Sequence, residues 1–211
     1  MTVSIPHTPL LEARSVSFFR RDEAVFAPLD FDVHPGQLTL VEGDNGSGKT
    51  TLLRVLAGLL HVGAGELRWR GAPLRRGECA GEILFLGHQL GLKADLSPHE
   101  NLRIAVGLHG QRTGTSIASA LIEVGLSGYE SEPTRRLSAG QKKRAALARL
   151  LLVPATLWLL DEPYANLDRA GIALVNHVLK WHTDSGGAAL VSSHGTTNFA
   201  GDTVRRIHLH E

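Results

Sequence analysis

Gly43-Asp44-Asn45-Gly46-Ser47-Gly48-Lys49-Thr50, running on into Thr51, is the stretch on which the fold turns. It fits the pattern G-x-x-x-x-G-K-[ST], which needs a buried strand before it and a helix after it. Residues 38–42, entered through the turn His34-Pro35-Gly36, supply the strand, and residues 51–60 carry apolar side chains at helical spacing, broken by the stretch from Gly58 to Gly65. The glycines permit a tight loop whose backbone N–H groups face phosphate oxygens, and the following helix turns its positive end toward the same charge. Lys49 is then expected on the β and γ phosphates of a nucleotide and Thr50 on Mg²⁺.

Outward from the loop, strands and helices alternate. Residues 11–19 and 25–33 read as strands ahead of it, and residues 66–70 and 83–86 as strands beyond it. Residues 90–152 read as a mostly helical insertion. Within it Ser97-Pro98-His99-Glu100 combines an N-cap, a proline at the first helical position and a capping-box acid. The end returns to strand 156–160, helix 168–182, strand 188–192 and strand 204–209. Runs such as Leu157-Trp158-Leu159-Leu160 suit strands buried on both faces of a mostly parallel sheet in an α/β fold.

Leu160 is followed by Asp161 and Glu162, two carboxylates at the end of a buried strand, where an isolated charge is costly without a cation or hydrogen bonds nearby. Successive strand residues point to opposite sides, so two roles are open. Asp161 is expected in the Mg²⁺ sphere and Glu162 as the base that polarises the water attacking a γ-phosphate.

Bulk composition narrows the partners. Lys and Arg number 22 against 21 Asp and Glu, so no broad basic field is available for nucleic acid, which is not expected as a partner. The only cysteine, Cys79, cannot form a disulfide within the chain, which suits a reducing compartment. No apolar run approaches the roughly 18 to 20 residues of a spanning helix, and the start lacks the basic-then-apolar pattern of a leader. A soluble, unexported chain follows, and any work at a membrane requires another subunit.

Leu137-Ser138-Ala139-Gly140-Gln141 matches the LSxGQ signature, and with it the chain resembles the ATP-binding subunits of ABC transporters. The resemblance spans nearly all of the 211 residues and leaves no room among them for an appended regulatory domain. It implies a single ABC ATPase domain over 1–211: a P-loop NTPase (RecA-like) core, an N-terminal antiparallel β subdomain and a helical subdomain at about 90–152. It also implies ATP and Mg²⁺ as ligands and an ATP-sandwich dimer with a second copy. Ser138, Gly140 and Gln141 would there serve the nucleotide bound on the other subunit. Gln89 falls at the Q-loop position that senses Mg²⁺ and the attacking water, Asp168 in the D-loop that crosses the dimer interface, and His194 at the switch histidine that contacts the γ-phosphate. The family's adenine-stacking aromatic has Phe18 and Phe19 nearby, but the register puts Arg20 at that position and leaves core packing to the phenylalanines. Lys49, Gln89, Asp161, Glu162 and His194 are all present, which argues against an inactive sensor.

Within the family, Leu86-Gly87-His88-Gln89, Gly91-Leu92-Lys93, Glu100-Asn101-Leu102 and Ala146-Leu147-Ala148-Arg149-Leu150 look most like the ATPase of the cytochrome c maturation system, the haem exporter. Asp44 departs from the proline of many relatives. This likeness implies a peripheral subunit at the cytoplasmic face of the inner membrane, bound to an integral membrane permease and coupling ATP hydrolysis to haem handling. Other cargoes, or a soluble assembly role, are the alternatives. No Cys-x-x-Cys-His motif is present, so direct haem binding is not expected.

Overall fold

The computed structural model describes residues 8–75, 79, 81–193 and 204–209. The chain opens with β1 (Leu11–Arg20) and β2 (Glu23–Val33), an antiparallel hairpin closed at the pair Arg20 and Glu23. Its two linking residues, Arg21 and Asp22, both have positive φ (51° and 66°), as two-residue hairpin turns favour. β3 (Leu38–Glu42) then leads through the Gly43–Thr50 loop into α1 (Lys49–Leu56). β4 (Ala64–Trp69) and the short β5 (Ala72–Pro73) complete a four-stranded antiparallel sheet in the order β2-β1-β4-β5.

The remaining strands are β6 (Ile83–Leu86), β7 (Leu157–Asp161), β8 (Ala188–Ser192) and β9 (Val204–His208). With β3 they form a five-stranded sheet in the order β6-β7-β8-β3-β9, parallel at every junction. β7 is buried at all five positions, and its alternation joins two cores. Leu157 and Leu159 pack with α1 and the antiparallel sheet. Trp158 and Leu160 pack on the other face, with the helices of the insertion and α5 (Arg169–Asp184). A continuous apolar run at β7 is what burial on both faces demands.

The insertion holds α2 (Pro98–His109), α3 (Ile117–Glu123) and α4 (Ala139–Leu152), with a 3₁₀ turn at Thr134–Arg136. Residues 90–97 and 124–133 are not helical, so "mostly helical" describes its core and not its entrance. The buried Asn101 side chain stitches that entrance down. Its Oδ1 accepts from Lys93 N at 2.8 Å, and its Nδ2 donates to Ser97 O at 3.0 Å and Leu96 O at 3.2 Å. The expected cap of α2 is present: Glu100 N donates to Ser97 Oγ at 3.2 Å and Ser97 N donates to Glu100 Oε2 at 2.8 Å.

α1 starts two residues earlier than its apolar spacing predicts and ends at Leu56, just ahead of the break expected at residues 58–65. The end is a closing motif. Gly58 takes φ +68°, its N–H donates to Val55 O at 3.0 Å, and Leu59 N–H donates to Arg54 O at 2.9 Å, which satisfies the last carbonyls of the helix. Phe18 packs against the core as expected, but Phe19, the next residue of β1, points to the opposite face of the strand and is 46% exposed.

His182, near the end of α5, lies 3.6 Å from Trp158 in a stacked pair and is 2% exposed. Its Nε2 faces two carbonyls, Thr156 O and Ala188 O, both at 3.2 Å, so Nε2 carries the proton and ties α5 to the starts of β7 and β8. Burial pushes the imidazole down to about 4, and the Arg112 cation adds to the effect against the pull of the two carbonyls. The unfolded chain takes up this proton near the ordinary histidine value of 6.5, so the contribution of neutral His182 is whole above that pH. It is lost as pH falls toward 4. The shift corresponds to about 3 kcal/mol. Urea midpoints should therefore fall between pH 6.5 and 4, and His182→Gln should flatten that part of the profile. Equal slopes for the two proteins would show that His182 does not carry the effect.

Candidate functional site

The carboxyl edge of the parallel sheet gathers the predicted residues, as crossover topology requires of a ligand site in such sheets. Val41, Ser192 and Asp161 lie in one row across β3, β8 and β7. Asp161, 3% exposed, accepts from Thr50 Oγ1 at 2.8 Å through Oδ2 and from Ser192 Oγ at 2.7 Å through Oδ1. The first turn of α1 is thereby pinned to the end of β7. Two oxygens of different elements sit together where a divalent cation would find hard ligands.

The loop is built for close approach. A Cβ on Gly43 (φ +150°) would lie 2.5 Å from Ser47 Oγ and 2.8 Å from Leu209 O, and one on Gly48 (φ +92°) would lie 2.9 Å from Val25 Cγ1. Lys49, 6% exposed, donates from Nζ to Gly43 O at 2.6 Å and Asp44 O at 2.7 Å, so its ammonium sits inside the ring of the loop. The buried Ser47 Oγ has no hydrogen-bond partner among the described residues. Asp44, Asn45 and Gly46 form the exposed rim, and Thr51 is part-buried on α1. A phosphate chain suits this arrangement, in which a buried cation and an unsatisfied hydroxyl lie at a helix N-terminus.

β7 ends at Asp161, so the expected strand alternation does not place Glu162. Instead Glu162 turns the chain with φ +49°, a region sparsely used by residues other than glycine. Its N–H donates to Ser192 Oγ at 2.9 Å and its carbonyl accepts from Lys143 Nζ at 3.1 Å. Glu162 lines a cavity of about 210 Å³ with Tyr164, Ala165, Ser192 and Ser193. Gln89 is exposed and leaves the same sheet edge, three residues beyond Leu86, which pairs with Leu160. His194, two positions past Ser192, lies outside the described residues.

The signature opens α4, beside the segment Asn166 to Asp168. Ser138 caps α4 and Gln141 completes a capping box. Gln141 N donates to Ser138 Oγ at 3.2 Å, and Ser138 N donates to Gln141 Oε1 at 2.9 Å. Ser138, Gly140 and Gln141 share a cavity of about 420 Å³ with Asn166, Leu167 and Asp168. None of Gly43 to Thr50 lines that cavity. Asp168 also caps α5, accepting from Gly171 N at 2.7 Å, a role its D-loop position had not indicated. Beside the loop, a cavity of about 630 Å³ is lined by Arg20, Arg21, Glu23, Ala24, Val25 and Gly46, with neither phenylalanine in its wall.

Lys143 is a residue that motif reading missed. It follows the signature in a basic run that reads as a solvated helix face, yet it is 6% exposed. The available signal was its spacing from Ala146, Leu147 and Leu150, which places it on the buried face of α4. Burial lowers its pKa, while Asp161 and Glu162 pull the other way.

Residues 26–165 match the ABC transporter family. Over 197 residues the chain is 58% identical to a cytochrome c biogenesis ATP-binding export protein, CcmA, of Xanthomonas campestris pv. campestris (strain 8004), covering 93% of this chain and 91% of that one. It is 50% identical to the protein of the same name from Methylococcus capsulatus, over 90% of this chain and 93% of the relative. Among solved structures, an ABC transporter ATP-binding protein from Pyrococcus furiosus superposes with a TM-score of 0.80 at 26% identity, covering 93% and 96% of the two chains. The chain belongs to the ABC transporter family of ATPases, within its CcmA group of cytochrome c biogenesis proteins.

Proposed function

We propose that this chain binds Mg-ATP on the Gly43–Thr50 loop, hydrolyses it in a site completed by a second copy, and so drives a membrane partner in the haem handling of c-type cytochrome biogenesis. The observation that carries this reading is the Thr50–Asp161–Ser192 set of hydrogen bonds, which joins loop and catalytic strand end into one site. Lys49 neutralises the β and γ phosphates from inside the loop. Thr50 and Asp161 would hold Mg²⁺, which when bound would supply positive charge against the phosphates. Glu162 orients and polarises the attacking water. Gln89 and His194 act beside it on the water and the γ-phosphate.

The signature and loop open into separate cavities that share no residue, which supports a dimer in which Ser138, Gly140 and Gln141 of one copy close over the nucleotide of the other. Asp168 then belongs to the crossing segment. The insertion at about 90–152 forms the helical subdomain and, with Gln89, the docking face for an integral membrane permease. No helix among the described residues is long and apolar enough to cross a membrane. In this reading the partner supplies the span and holds the chain at the cytoplasmic face. Cytochrome c biogenesis enters through the name of the relatives that share 58% and 50% of their residues with it.

Glu162→Gln should keep ATP binding and lower turnover by about a hundredfold or more, because only the base is removed. It should also trap a dimer visible by size exclusion; wild-type phosphate release would remove Glu162 from the mechanism. Lys49→Ala should weaken ATP binding by about 2 kcal/mol, roughly thirtyfold in Kd, by deleting a buried charged donor. Calorimetry showing unchanged affinity would overturn the loop assignment. Detergent extraction followed by mass spectrometry should recover a multi-pass haem-maturation protein with the chain, and recovery of soluble partners alone would refute the membrane reading.

A further inference from the structure

The first turns of α4 are laid along the segment that runs from Glu162 to Asp168, and three contacts join them. Lys143 Nζ donates to Glu162 O at 3.1 Å. Gly140 lies so close that a Cβ there would sit 3.9 Å from Asn166 O. Arg144 reaches Asp168 Oδ1 at 3.4 Å. Two of the three are exposed or glancing: Asp168 keeps 73% of its side chain in solvent, and such pairs contribute little. Lys143 differs in being 6% exposed and bonded to the residue whose positive φ turns a carboxylate out of β7.

A buried ammonium is expensive unless its donors are used and opposite charge is near. Here Asp161 and Glu162 lie on its strand side, and the Glu162 carbonyl takes one donor. The two peptide groups that flank the Glu162 Cα are thus both held, the N–H on one side by Ser192 and the carbonyl on the other by Lys143. Ser192 belongs to the sheet. Lys143 belongs to the helix that begins at the signature, five residues after Ser138 in a rigid rod. Any tilt of α4 against the sheet therefore acts on the peptide that aims the Glu162 carboxylate.

We infer that Lys143 is a positioning residue for Glu162, linking the signature helix to the orientation of the hydrolytic carboxylate. The inference rests on the reading of Glu162 as the base. It separates binding from turnover: the lysine is bonded to the turn after β7 and not to the phosphate loop, so its loss should leave nucleotide affinity alone and misdirect hydrolysis.

The test uses the full chain with Lys143→Met, which keeps the length and removes the charge, and Lys143→Arg, which keeps a donor. Thermal melting controls for folding, binding of a non-hydrolysable ATP analogue with Mg²⁺ is measured by calorimetry, and phosphate release gives kcat and KM. Lys143→Met should lose about tenfold or more in kcat with KM and analogue affinity within about twofold, and Lys143→Arg should recover most of the rate. Wild-type kcat in Lys143→Met would overturn the inference, as would a rate loss that Lys143→Arg does not restore, or one matched by an equal loss of analogue binding. If Glu162→Gln itself turns over normally, the base assignment fails first. If Glu162→Gln is inactive while Lys143→Met is not, only the role of Lys143 fails.

Discussion

The buried carboxylate of Asp161 is the constraint around which the rest is arranged. A charge at the end of a strand that is buried at all five positions costs several kcal/mol unless it is compensated. Thr50 and Ser192 supply hydrogen bonds from two other elements, so satisfying one group fixes three. The parallel register makes this possible: Val41, Ser192 and Asp161 stand in one row, and the loop after β3 begins two residues beyond that row. Moving β7 by one residue would turn Asp161 to the opposite face of the sheet and leave Thr50 and Ser192 without it.

From that anchor, charge is distributed with little waste. Lys49 and Lys143 are both 6% exposed, and they serve different parts of the same edge. Lys49 folds into its own loop, donating to two carbonyls that phosphate oxygens can replace at little cost. Lys143 spans from the insertion to the strand end. The neutral His182 performs the corresponding task at the opposite edge, where Nε2 ties the starts of β7 and β8 to α5. β7 is thus held at both ends, by a cation bonded to the residue that follows it and by a neutral ring at its start.

The family resemblance and the geometry meet most firmly where a backbone demand coincides with a motif. Gly43 and Gly48 occupy positions where a Cβ would collide within 3 Å, so the motif glycines there answer a packing constraint as well as a conformational one. The signature is less self-evident. Ser138 and Gln141 are engaged with each other in a capping box, so part of what the motif specifies is the start of α4 itself.

Much of this was legible in the residues taken alone. The loop, the strands 38–42, 83–86 and 188–192, the cap at Ser97 and the signature helix follow from short-range chemistry, in which a motif or cap and its structure lie within a few residues of each other. What tertiary structure decided lies at long range. The register shift between β1 and β2 at Phe18 and Phe19 depends on a neighbouring strand. The burial of Lys143 depends on which face of α4 meets β7, and the joining of Thr50 to Asp161 spans 111 residues. Sequence singled out the groups proposed for the chemistry, because phosphate binding and carboxylate catalysis need particular side chains in fixed local order. Only the fold decided which of them touch, because contact across a sheet is set by register and burial and not by distance along the chain.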